Sequence, residues 1–238
     1  MSGGFLDDSA GYALADFVPF SAEVYFRLIE RVGETFWPVH GAALMLGLAA
    51  LTLTWRGSPR MACALLAVPW TWVGVTFLGQ RYAELNWAGS WFAAAFVVQA
   101  GVLLTLAAAG IGFEGIKAAG AVHRQPAVAR PAGLMMAGFG VIVYPLIAPL
   151  SGFGLFQAEV FGIHPDPTAV ATLGIALAAL RGPLLWLAMA IPVLWCVISG
   201  LTLQVLGAAW AIVPLASAAL AGVFTLWKTF PKPGSFTT

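Results

Sequence analysis

Long apolar runs punctuated by short polar clusters set the pattern of this chain, and seven such runs can be drawn. They cover roughly residues 36–55, 61–79, 89–113, 132–150, 168–180, 183–200 and 205–227. A helix needs about 20 apolar residues to cross a hydrocarbon core, and most of the runs meet that length. The fifth does not. It lies between Pro167 and the Arg181, Gly182, Pro183 triplet, and about 13 helical residues rise only some 20 Å. It begins inside a protein-lined recess, or else runs five and six form a hairpin of uneven depth; the sequence leaves both open. Ahead of the first run, "PFSAEVYFRLIERVGETFWP" (19–38) shows helical periodicity, with Val24, Tyr25, Leu28, Ile29 and Val32 on one face. Ser21 suits the N-cap, and Glu23 with Arg27 forms an i,i+4 pair in the favourable order. The expected element is a short amphipathic helix at the membrane interface, apolar face down. Docking on a partner or on the bundle's own loops is the alternative.

These elements predict an all-α polytopic bundle of about seven spans. Its parts are an N-terminal segment at 1–35, the bundle at 36–227 and a tail at 228–238. Composition agrees: 61% of the 238 residues are apolar, 9% are charged, and mean hydropathy is +0.90. A soluble domain keeps roughly a quarter of its residues charged. No basic leader precedes the first run, and nothing resembles a nucleotide loop, a zincin helix or a nucleophile elbow. Nucleic acid is not an expected partner; the lipid bilayer is.

Placing the charges gives an orientation. Arg56, Arg60, Lys117, Arg124, Arg130, Arg181, Lys228 and Lys232 fall on one side of a seven-span arrangement, eight of the eleven basic residues. Arg27, Arg31 and Arg81 fall on the other, with nine of the ten acids. Basic residues stay cytoplasmic, so the N-terminus is expected outside and the C-terminus inside. His123 sits in the inner loop as a solvated companion of Arg124 and Arg130, a basic segment suited to anionic headgroups.

Cys63 and Cys196 lie within apolar runs as small buried hydrophobes. Trp37, Trp87, Trp91 and Trp227 sit at span ends, where an aromatic belt is expected. Trp70, Trp72, Trp186, Trp195 and Trp210 lie deeper and are read as packing or lipid contacts. The predicted spans carry no Lys, Arg, Asp or Glu in their interiors. Ion-coupled transporters usually keep such a group there, and Gln99 and Gln204 are the deepest polar candidates instead.

Chemistry is therefore sought at the outer mouth. His40, after Trp37 and Pro38, lies one turn inside span one; Gln80, Arg81, Tyr82 and Glu84 form the loop between spans two and three. Glu159, His164 and Asp166 precede span five. The histidines and carboxylates suit a divalent cation, with His40, His164 and Asp166 as loosely spaced metal ligands. Arg81 suits an anion, or a pairing with Asp166. The structural alternative is that Asp166 is an N-cap followed by Pro167 at the first helical position.

Four stretches also resemble a known family: "PFSAEVYF" leading to "WPVH", "PWTWVGVTFLGQRYAELNWAGSWFAAAFVVQA", "VYPLIAPLSGFG" and "FGIHPDPTAVATLG". The chain resembles a family of small bacterial polytopic membrane proteins catalogued as domain of unknown function 6064. That resemblance implies the architecture but no activity, and it leaves the cofactor unknown; in a bacterium the orientation drawn from the charges would place the chain in the cytoplasmic membrane with a periplasmic N-terminus. A proline–cysteine–proline–threonine stretch is common in the family where this chain has Pro165, Asp166, Pro167 and Thr168, so a carboxylate replaces the thiol. The expected function is a non-catalytic membrane protein packing against other membrane subunits. The alternative is a small ion or solute transporter or channel with an outer-face site around His164 and Asp166.

Overall fold

The computed structural model describes residues 14–114 and 128–230. His123, Lys117, Arg124 and Lys232 fall outside the described residues. Within them the chain is all-helical apart from two isolated bridges, Phe113 with Leu180 and Phe161 with His164. Helix α1 is Ala22–Thr35 and α2 is Trp37–Trp55. Helix α3, Pro59–Trp72, runs on through a π segment, Val73–Gly79; α4 is Gly89–Ala109. Helix α5, Ala129–Gly138, continues through a second π segment, Phe139–Val143, into α6, Tyr144–Leu150. The remainder are α7 (Pro165–Ala179), α8 (Gly182–Val205) and α9 (Ile212–Thr229).

Among the described residues six helical segments are long and apolar enough to cross a membrane: Trp37–Trp55, Pro59–Glu84, Gly89–Ala109, Ala129–Leu150, Gly182–Val205 and Ile212–Thr229. The chain is thus a polytopic membrane protein by the length and composition of its helices. The fifth apolar run departs from the seven-span count. It forms α7, only 15 residues long, and every one of them is buried. Apart from Asp166, Thr168 and Thr172 its residues are apolar or glycine on every side, as in a helix enclosed by other helices.

Small residues let α7 in. A Cβ on Gly133 of α5 would lie 2.6 Å from Gly174 O; one on Gly140 would lie 2.6 Å from Ala171 N. Ala137, Ala171 and Ala178 complete the seam. Close backbone approach through Gly and Ala is how helices associate where lipid competes equally for larger apolar side chains.

Basic side chains tie off helix C-termini at one end of the bundle. Arg60 donates from Nη2 to Ala108 O of α4 (2.6 Å), and its Nε also meets Ala107 O. Arg130 donates to Trp55 O of α2 (3.0 Å). Lys228 donates to Leu177 O of α7 (2.7 Å) and to Leu180 O just after it (2.6 Å), and pairs with Glu114 at 2.7 Å. Each cation meets the negative end of a helix dipole and its unpaired carbonyls.

The first helix differs from its expected place in the interface plane. Its stripe, Tyr25, Ile29, Val32 and Gly33, is buried on the opposite end of the bundle. Phe26 packs on Phe153 and Trp210, at ring centroids 5.0 and 5.6 Å apart. Gly33 lies so close to Phe156 O that a Cβ would overlap it. The bundle's own loops offered α1 an aromatic surface, and the helix turned its apolar face to that surface. Trp37, Trp87 and Trp91 are exposed at the same end, whereas Trp70 and Trp195 are buried.

Candidate functional site

Between α6 and α7 the chain re-enters the bundle without helical structure. Residues Ala158 to His164 are all buried, and α7 starts directly after them. Buried non-helical backbone must find partners, and here it does so locally. Ile163 N and His164 N both donate to Val160 O (3.1 and 2.9 Å), Val160 N donates to His164 Nδ1 (3.0 Å), and Gly162 N donates to Thr168 Oγ1 (2.8 Å). Gly162 holds φ at +77°, a conformation that suits glycine alone here.

The stretch "HPDPT" explains how a helix N-terminus can be buried at all. The first four N–H groups of a helix lack intrahelical acceptors. Here the cap residue is His164, whose N–H already bonds Val160 O. Pro165 and Pro167, at the first and third helical positions, have no N–H. Only the Asp166 N–H is left over. This corrects the expectation that Asp166 caps and Pro167 opens the helix: Pro165 fixes the helical φ two residues earlier, and no side chain caps α7.

Released from capping, Asp166 turns to its neighbours. Trp195 Nε1 donates to Oδ1 at 2.8 Å; Ser199 Oγ and Tyr144 Oη donate to Oδ2 at 2.6 and 3.1 Å. The Ser199 distance lies in the range of charge-assisted O–H···O⁻ bonds. Tyr144 is 15 residues along from Ala129 and Ser199 is 17 along from Gly182, so the carboxylate stands roughly 20–25 Å from the basic end of those helices. The absence of charge from the spans therefore misleads, because the re-entrant segment carries Asp166 to their depth.

Within electrostatic reach of this carboxylate is Glu159, 4% exposed, and two residues ahead of Asp166 in the chain is His164, fully buried. The Glu159 carboxyl is thus buried beside a second acid, and like charge disfavours ionising both. Tyr25 of α1 lies within electrostatic reach of both acids. The His164 ring meets Phe77 edge-on at 5.6 Å and lies within reach of His40. Phe77 lies within one π segment and Tyr144 directly follows the other, so both supporting helices change pitch as they pass the head of α7. Such π bulges re-aim side chains and are frequent at functional sites. Rings at Tyr82, Phe92, Phe96 and Trp195 wall the site from the bundle side.

The residues expected at the mouth separate into two groups. His40, His164 and Asp166 come to the same region, with Tyr82 stacked nearby on Phe77 at 6.3 Å. Arg81 does not join them; its guanidinium lies 4.8 Å over the Phe36 ring and donates to Thr76 O at 3.3 Å. Glu84 is exposed. Among the described residues no group of three or more His, Cys, Asp or Glu side chains is arranged to hold a metal ion. Tyr25, Tyr144, Trp195 and Ser199 were not singled out as site residues from sequence. A hydroxyl or indole in an apolar run carries no periodic mark, and only packing reveals its partner.

No curated protein and no solved structure matches the chain. The family of unknown function DUF6064 does match, over residues 22–233, and the chain belongs to that family.

Proposed function

We propose that the protein is a small, non-enzymatic ion or solute transporter, with its binding site at the head of α7. One observation carries the reading: Glu159 and Asp166 are buried together, with no Lys or Arg among the described residues within hydrogen-bond distance of either. A buried carboxylate without a counter-charge is costly. Acids enclosed in a membrane bundle commonly mark ion pathways or proton relays, and a helix broken by buried irregular backbone is the usual setting of a transporter site. The accessory-subunit reading drew on an absence of buried charge, so these two acids weigh against it. The basic end, with Arg56, Arg60, Arg130 and Arg181, supports a C-terminus facing the cytoplasm and α1 facing outward.

The test is flux through proteoliposomes holding the purified chain, with Na⁺, K⁺, H⁺ and a panel of small organic solutes. Uptake should be present in the wild type and lost in Asp166→Asn and Glu159→Gln proteins that remain folded and inserted. Silent liposomes, together with a stoichiometric membrane partner on gentle extraction, would favour the accessory role instead.

A further inference from the structure

Glu159 brings no partner of its own to the site. Its Oε2 is buried, and among the described residues no hydrogen bond reaches it. Among the described residues, the ionisable groups that reach the two acids are Tyr25 from α1, Tyr82 after α3, Tyr144 from α6 and Cys196 from α8, while His164 and His40 of α2 lie within reach of each other. None is a fixed cation, and Arg81 is engaged with Phe36 and Thr76. The three donors that do converge all bond Asp166. Two neighbouring carboxylates in a low-dielectric site disfavour each other's charge, so at neutral pH one keeps a proton, as in paired-carboxylate active sites. The donors decide which. Asp166 accepts three hydrogen bonds as an anion, while among the described residues no hydrogen bond reaches the buried Oε2 of Glu159.

We propose that the Glu159–Asp166 pair holds one exchangeable proton, carried on Glu159, and that this proton is the ion bound at the head of α7. The inference rests on the transport reading for its role in flux, but the protonation itself is observable without flux. On release, the Glu159 O–H bond breaks, its electrons stay on the carboxylate and the proton passes to water. The pair goes from one negative charge to two.

Infrared difference spectroscopy on the full chain in lipid nanodiscs tests this. At neutral pH the wild type should show a protonated-carboxyl C=O band that shifts in D₂O and vanishes in Glu159→Gln. Asp166→Asn should keep the band but lose it at lower pH than the wild type, because the like charge is gone. No such wild-type band at neutral pH, or one that persists in Glu159→Gln, overturns the proposal. So does a wild-type band that grows only when Na⁺ is exchanged for choline, since a metal cation would then be the occupant; this arm needs no variant. A band with the predicted behaviour in a protein whose liposomes stay silent refutes the transport reading and leaves the proton site standing.

Discussion

Replacing Gly174 with alanine adds one methyl group where α7 meets α5, and the surroundings cannot yield. The new Cβ would lie against Ala137 N and 2.5 Å from Gly133 O, backbone on both counts. Overpacking a tight core costs about 1–3 kcal/mol, and contact with backbone rather than a flexible side chain places this case near the top. The intrinsic helix preference for alanine over glycine returns up to about 1 kcal/mol. The net loss should be about 2 kcal/mol, roughly a thirtyfold fall in the folded-to-unfolded ratio. Gly101→Ala in α4 and Gly222→Ala in α9 are the matched controls, since a Cβ at either meets nothing within 4 Å. Their stability should hold or rise slightly. Unfolding in mixed micelles of mild detergent and dodecyl sulfate, followed by tryptophan fluorescence, compares the three. If Gly174→Ala matches the controls, α7 is not clasped between backbones and its burial is wrongly assigned.

The remaining predictions concern the polar groups. Asp166→Ala should lower unfolding stability by several kcal/mol, because Trp195, Ser199 and Tyr144 each lose an acceptor, and an unsatisfied buried donor costs about 1–3 kcal/mol. Asp166→Asn should also be destabilised, since its amide would oppose some of those donors; an Asn variant as stable as wild type would restore the capping interpretation. Lys228→Met should cost about 3–5 kcal/mol by stranding Glu114 and the α7 carbonyls, with part recovered on adding Glu114→Gln.

Much of the fold was legible because membrane-length apolar runs are a strong, local signal. The same reading could not place α7. A 13-residue apolar run between prolines has no feature telling a span from an enclosed helix, and the Gly133–Gly174 clasp joins residues far apart in sequence. His164 and Asp166 stood out as polar residues among apolar ones, and their roles were reversed: the expected cap accepts side-chain donors, and His164 takes the cap position. Trp195 and Ser199 lie 29 and 33 residues beyond Asp166 on another helix, so their convergence belongs to tertiary packing. Arg60, Arg130 and Lys228 were read for orientation alone, yet each also ties off a helix end.

The most direct test of the account is covalent. A hydrophobic carbodiimide adds to protonated carboxyls from within the membrane, and mass spectrometry of the labelled protein locates the adduct. At neutral pH the label should fall on Glu159 and not on Asp166, and it should decline as the membranes are made alkaline. An adduct on Asp166, or an unlabelled Glu159 in intact membranes, would contradict the claim that the head of α7 holds a proton on Glu159 beside an ionised Asp166.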